Sequence, residues 1–464
     1  MALYEWLPYT NFHEINLDWM IRKIKAIEDQ LGDLDPEAIQ KAVNEYLETH
    51  PELFPFVIPQ MFGAVADGES DDTAAIQRAV DAGIDVYFPT DHGEIYKISA
   101  PIQINLGKAR KLYGAATARG TASAGVIKRV YDSAQDNSQS AAMFRLGPGV
   151  EGIHFANLRF ILGDGDDANS GVFLDAKTFK QQDKDVYIRN CSFKNAYEAI
   201  QFDGRGLTVV SSSFGSCSTA AVITWDSSLG TDLFGSRAIK FDSCRFHAMT
   251  GAYAVRVDSG HAYGLQMINC LADRWLHGLI YAAETAYNWM VSGCTTQQAY
   301  RAAGAECLIR LEGGAEDCNI SDNIFRCSST GSGPLNNLIY MSGDVTGCVI
   351  SSNVFDNTHQ SAVRISGGGN TAGNVISNNT FMRNGDADNS TYAMIQINNM
   401  TQKGYVISGN TCAGAAGTIT RLLASSNVGA LTFSTILGNV CGSIPTAGYT
   451  AANCQVTGNV ANLT

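Results

Sequence analysis

Short runs of alternating apolar and polar residues recur along this chain, and each closes on the same kind of turn. The clearest are ISDNIF, ISSNVF, ISNNTF, ISGNTC, ILGNVC and VTGNVA, which place Asn323, Asn353, Asn379, Asn410, Asn439 and Asn459 at one position of a repeat. Alternation with β-branched residues reads as a short strand. The same register continues upstream with Cys191, Ser212, Cys244, Cys270 and Cys294 in place of asparagine. A second alternating run recurs in most repeats, as IQFD, VRVD, IRLE, VRIS and IQIN. Gly- and Ser-rich segments separate the runs, with no helical period between them. Two or three short strands per repeat of this length predict a solenoid, a parallel β-helix.

In such a stack, equivalent residues lie ~4.8 Å apart along the axis. Side-chain amides at that spacing can donate to one neighbour and accept from the next. The asparagines are therefore expected to form an interior ladder, and also to take the left-handed turn between strands. The upstream cysteines read as the apolar version of the column, small thiols stacked inside. Their spacing is explained by stacking, so metal or thiol chemistry is not expected there.

Composition narrows the classes. Charged residues are 17% of 464, Gly is 46 and Pro 10, as tight-turned β-structure requires. The net charge of −13 argues against nucleic acid as a partner, since phosphate binding requires a basic face, and disfavours anionic membranes. No apolar run approaches the ~18 residues of a membrane span. The N-terminus MALYEWLPYTNFHEINLDW lacks a basic stretch followed by an apolar one, so no secretory signal is expected. The twelve cysteines then read mostly as free, buried thiols of a protein made in a reducing cytoplasm. No Cys/His spacing for zinc occurs, the DDAN stretch at 166–169 is too incomplete for a calcium loop, and no metal or cofactor is expected.

The N-terminal segment has a different period. Leu17, Met20, Ile24, Ile27 and Leu31 alternate spacings of three and four, an a/d heptad seam. Asp35-Pro36 restarts a helix, and Pro51 stops it. Two heptads are unstable alone. They are read as a trimerising or docking segment, the alternative being a helical hairpin folded on the solenoid. The aromatic residues before them (Tyr4, Trp6, Tyr9, Phe12, Trp19) suit anchoring on another protein. The chain thus divides into residues 1–58, helical; 59–150, the opening and capping region; and 151–464, the β-helix.

Residues 62–80 read FGAVADGESDDTAAIQRAV, followed by VYFP, YKIS and LYG. This resembles the opening segment of the pectate-lyase-like β-helix superfamily found in bacteriophage tailspikes and appendages. The first run matches that pattern closely. The second departs, because Thr90, Asp91 and His92 lengthen the Pro-to-Gly spacing. The resemblance implies a single-stranded right-handed parallel β-helix from about residue 59 onward, usually as a homotrimer. It also implies a virion tail location, host surface polysaccharide as a partner, and attachment to other virion tail proteins through residues 1–58. The segment YTNFHEINLDWMIRKIK is similar to attachment segments of appendages from small tailed phages. Within DDT, Asp71 or Ser70 is expected to cap a helix over 73–82, which in the family covers the open end of the stack.

Candidate chemistry lies where the second strand ends, at Asp175, Asp203, Asp226, Asp258, Glu284 and Glu312 in successive repeats. Alternation in VRVD places Val255 and Val257 inward and Arg256 and Asp258 outward. A surface stripe of carboxylates beside arginines is expected. Stacked carboxylates repel, which poises one as an acid. Glycosidases need such pairs, ~5–5.5 Å apart for retention and ~6.5–9.5 Å for inversion. Asp226, Asp258 and Glu284 are the candidate acid, base or nucleophile. Arg256, Trp275, His277 and Arg310 are the candidate glycan-positioning residues, with Tyr281, Tyr287, Trp289, His247, His261, Tyr263 and Arg274 nearby. The competing reading is that these acids close turns and pair with arginines. Three functions stay open: a tail appendage binding a host glycan, a polysaccharide hydrolase or lyase, and a structural appendage without glycan chemistry.

Overall fold

The computed structural model describes residues 55–89, 93–108, 110–115, 125–129, 141–163, 171–178, 183–224, 236–260, 262–273, 278–299, 307–327, 335–367, 369–383, 393–398, 401–413, 422–424, 431–432, 434–441 and 455–461. The expected heptad seam and second helix lie outside the described residues. The remainder forms a parallel β-solenoid of about ten turns with very little helix.

One turn shows the construction. Asn319–Ser321 lies on a first face, Ile324–Cys327 on a second, Asn337–Ser342 on a third, and Val345–Thr346 brings the chain back to the first. Repetition builds sheets of 22, 15 and 12 strands, one sheet per face. Every layer repeats the inward residue. Ile320, Ile350, Ile376, Ile407 and Ile436 are register partners in series and are buried. On the second face Phe160, Phe193, Phe214 and Phe246 stack with centroids 5.4, 4.7 and 5.5 Å apart. Offset ring stacking adds to the area these side chains bury.

The asparagine ladder forms as the spacing predicts. The Asn353 amide is saturated. Its Nδ2 donates to Ile320 O at 2.8 Å and to Asn379 Oδ1 at 3.0 Å. Its Oδ1 accepts from the backbone and side-chain nitrogens of Asn323 at 3.0 and 2.9 Å. The pattern runs on to Asn410, Asn439 and Asn459. A buried amide has two donors and two acceptor sites, and this geometry uses all four. Upstream, each thiol takes over the donor role alone. Cys294 Sγ donates to Met267 O at 3.4 Å, as Asn323 Nδ2 does to Val291 O one layer on.

The left-handed turn, however, does not fall on the asparagines. It falls on the residue before each: Asp322, Ser352, Asn378, Gly409, Gly438 and Gly458 have φ between 56° and 65°. The ladder asparagines must keep their side chains inward. The preceding residue therefore makes the bend, and it is Gly, Asn, Asp or Ser throughout.

A second interior column stands where the short return strand meets the first face: Trp289, Cys318, Cys348, Asn374, Tyr405 and Ser434, all buried. It works the same way, with Asn374 accepting from Cys348 N at 3.0 Å and donating to Val345 O at 2.8 Å. Nine cysteines of the described residues are free and buried, and burial pushes the Cys191 and Cys217 thiols up to about 12. Cys412 is disulfide-bonded.

The helix spans Thr73–Asp81 and buries Ala75, Ile76, Ala79 and Val80. Its N-cap position is Asp72 rather than Asp71 or Ser70. The Asp72 carboxylate turns away to accept from Val65 N and Ala66 N, while Asp71 accepts from the Thr73 N–H at 3.0 Å. The DDT motif is thus a double staple at the head of the stack. Among the described residues no helix is long and apolar enough to cross a membrane.

Candidate functional site

The third face carries an ordered row of outward side chains. Strand alternation sends Val255 and Val257 into the core and leaves Arg256 and Asp258 outside, as expected. Register then aligns Arg256, Tyr281, Arg310, Tyr340, Arg364 and Gln396 in six successive layers, the last of them, Gln396, being buried. At ~4.8 Å per layer the row is roughly 24 Å long.

Its members touch. The Arg310 and Arg364 guanidinium groups each lie 5.9 Å from the Tyr340 ring centroid, one on either side in register. Cation–π contact of this kind fixes side chains that would otherwise sample many rotamers. Arg256 grips Asp258 with two hydrogen bonds of 3.0 and 2.6 Å. Arg310 Nε donates to Glu312 at 2.8 Å, and the Tyr281 hydroxyl donates to the same carboxylate at 2.8 Å. Burial, together with Glu312, pushes the Tyr281 hydroxyl up to about 12, so it stays a donor at neutral pH. The side chains of the two Arg–acid pairs are 28–34% exposed, so a ligand can reach them.

The expected carboxylate stripe is not continuous. Asp175 is buried, 3.7 Å from Arg145, and closes its own turn by accepting from Lys177 N and Thr178 N. Asp203 is buried against Lys184 at 3.2 Å. Val257, Ala282 and Leu311 are register partners, so Ala283 stands between Asp258 and Glu312. Those two acids are therefore two layers apart, ~9.6 Å. Glu284 is exposed and falls one residue beyond that column, where Gly313 packs on its backbone. Chain position alone suggested a column; pairing register separates it into members with different environments. Asp226, Trp275 and His277 lie outside the described residues, as do His261 and Arg274.

Two further clusters occur on the other faces. On the second, Asp273 accepts from Arg245 Nε at 3.1 Å and sits 2.6 Å from His247 Nδ1. Burial alone would raise the Asp273 carboxyl, but the hydrogen bonds from Arg245 and His247 outweigh it and hold it low. On the first, Tyr263 and Tyr287 stack at 4.5 Å and 4°, with Arg237 6.0 Å from Tyr263. Trp289, expected as a sugar platform, is interior instead and donates its Nε1 to Ala262 O at 2.6 Å. Among the described residues no group of three or more His, Cys, Asp or Glu is placed to hold a metal ion.

The corner after Glu312 is glycine-packed. A Cβ on Gly313 would sit 2.4 Å from Glu284 C and 2.5 Å from its Cα. Backbone cannot yield as a side chain can. Gly313→Ala is expected to destabilise the protein by about 2–3 kcal/mol, read by thermal denaturation.

The class defined here is a parallel β-solenoid with an ordered Arg/Tyr row on one face. No protein-family model matches the chain, and no curated protein matches it in sequence. Solved structures share the fold. Tailspike protein 3 of bacteriophage CBA120 is 14% identical with a TM-score of 0.55, covering 87% of this chain and 62% of that one. DFA-IIIase of Arthrobacter chlorophenolicus A6, solved without its lid in complex with GF2, is 10% identical with a TM-score of 0.51, covering 88% of this chain and 99% of that one. At such identities the likeness is one of fold. The chain spans less than two thirds of the tailspike's own length.

Proposed function

We propose that this chain is a tail spike or appendage of a phage virion that binds a polysaccharide of the host surface along its third face. The observation that carries the reading is the Arg256–Tyr281–Arg310–Tyr340–Arg364 row. It offers guanidinium, phenol and carboxylate groups at regular intervals on a stiff support, suited to the hydroxyls of a linear sugar chain. Paired Arg–carboxylate groups hold each other in place before ligand arrives, so little ordering is left to pay for on binding. The likeness of fold to a phage tailspike supports the setting. Residues 1–58 then attach the protein to other tail proteins, and the chain works as a homotrimer. Trp275 and His277, close in sequence to Asp273, are proposed to add to glycan positioning.

Binding is favoured over cleavage because Asp258 and Glu312 are both held by arginine. Cleavage, if present, is assigned to Asp258 and Glu284 with Asp226.

The test is binding of host capsule or wall polysaccharides to the wild type and to Arg310→Ala and Tyr340→Ala. Each substitution is expected to weaken binding at least tenfold, about 1.4 kcal/mol, without loss of fold. Unchanged affinity in both variants rejects the third face. New reducing ends in the same incubation indicate hydrolysis, and an ultraviolet-absorbing unsaturated uronate indicates a lyase. Asp226→Asn, Asp258→Asn and Glu284→Gln must then each slow the reaction.

A further inference from the structure

The corner that carries the asparagine ladder has an outer surface unlike the rest of the molecule. Outward rows flank it on both sides: Met290 to Thr435 and Ser292 to Leu437 on the first face, Thr295 to Val440 on the second. Along these three rows and the bends between them the only charged residue is Asp322, and the next outward row of the second face, with Arg326 and Asp356, bounds the strip. Protein surfaces ordinarily carry charge at about a quarter to a third of positions. One layer upstream of the Gln266 layer, the same rows hold Lys240, Asp242 and Arg245, so the strip has a sharp beginning.

The strip also gathers exposed apolar side chains. Large hydrophobic residues that are exposed number six among the described residues, and four of them lie here: Met290, Ile324, Leu437 and Val440, at 37–41%. Between them run Val349, Val375 and Val406 on one side and Val354 on the other. The asparagine ladder fixes each layer above the last, so the strip repeats every ~4.8 Å. Exposed apolar surface of this kind marks an interaction site.

We infer that this corner is where further copies of the same chain pack, parallel and corner to corner along the stacking axis. The occupant follows from charge. A chain of net charge −13 repels its own copies over most of its surface. The charge-free strip is where that repulsion is weakest and where desolvation costs least. Identical periodicity lets Ile, Val and Met of one copy seat between the layers of another. Six residues across and six to seven layers long, the strip covers on the order of 500 Å² per copy, against ~800 Å² for a standard interface. The corner lies opposite the third face, so packing there leaves the Arg/Tyr row open. The inference rests on the homotrimer reading above, and on nothing about glycan.

The experiment uses the full chain. Ser377→Cys is treated with a short bis-maleimide, the free native thiols of the described residues being buried, and products are sized under denaturing conditions. Oligomer mass is measured in parallel by light scattering. Copies are expected to cross-link in high yield. The added pair Ile324→Lys and Val354→Lys is expected to abolish the cross-link and raise the dissociation constant at least a hundredfold. Circular dichroism and Tm monitor folding, and Thr178→Cys, far from the strip in sequence, serves as the negative control. An oligomer that gives no Ser377 cross-link overturns the inference, and so does a wild-type protein that is monomeric. An oligomer unaffected by the two lysines overturns it as well. Glycan binding by the third face is measured on the same variants and stands or falls separately.

Discussion

Asn379→Ala is expected to cost about 4 kcal/mol, lowering Tm and the urea midpoint while leaving the purified protein β-rich. Truncation removes an amide whose oxygen accepts twice and whose nitrogen donates twice. The backbone and side-chain N–H groups of Asn353 lose the Oδ1 they both use, and the Ile350 carbonyl loses Nδ2. The two Asn353 N–H groups are orphaned, each at ~1–3 kcal/mol, reduced where water enters the gap, while the Ile350 carbonyl keeps its partner in the strand ladder. The bond from Asn379 N to Asn410 Oδ1 survives, since it uses backbone. Asn379→Cys is expected to cost about half as much, because a thiol in this column donates to the equivalent carbonyl, as Cys294 does to Met267. Asn379→Asp is expected to be worst, since a carboxylate faces Asn410 Oδ1 with no proton to share. Equal effects for the three substitutions would show that side-chain volume, not the amide, matters at this position. Native-state hydrogen exchange should locate the damage, with the Asn353 amide losing protection first.

Lys184→Met is expected to destabilise by about 3–5 kcal/mol, measured by chemical denaturation. The Lys184 side chain is 2% exposed and its partner Asp203 3%. Its ammonium donates to Ala176 O at 2.5 Å, Asp203 O at 2.6 Å and Asp203 Oδ1 at 3.2 Å. Burial holds its pKa below the usual lysine value, with Asp203 opposing the shift. Methionine fills much the same volume but removes the buried cation that the Asp203 carboxylate and two carbonyls bond. The pair sits beside the register shift between Asp183 and Val186, so it also clamps an irregular part of the stack. Adding Asp203→Leu to Lys184→Met is expected to recover much of the loss, because a hydrophobic pair replaces a buried ionic one. A double mutant as unstable as the sum of the singles would contradict that coupling.

These two positions also show how much of the fold is legible in the sequence. The Asn379 ladder was legible because identical residues recur at one place in a repeat, and only stacking makes that useful. The bend residue was misplaced by one position. Two adjacent residues share the corner, and only the need for an inward amide decides which of them turns. Lys184 lies in phase with the inward Val186 and Ile188, so its burial was written in the alternation of DKDVYIR. A charged residue in an inward slot is easily passed over as surface.

The third face was half legible. Arg256 and Arg310 were found as outward neighbours of inward valine and leucine. Tyr340 and Arg364, at the same place in LIYMS and VRIS, complete the row, but their strands end in Ser342 and Ser366 rather than an acid, so no carboxylate marks them in the sequence. Glu284 and Asp258 looked equivalent by chain position and are not, since loop lengths shift register by single residues. The Arg245–His247–Asp273 cluster joins residues from neighbouring layers of the second face, and no local motif announces it.

The most direct measurement is the structure of the protein with an oligosaccharide cut from a host polysaccharide that it binds. Sugar rings should lie lengthwise on the third face, over Arg256, Tyr281, Arg310 and Tyr340. Sugar seated instead on the ladder corner or beside Asp273, with the Arg/Tyr row empty, would contradict the proposed function.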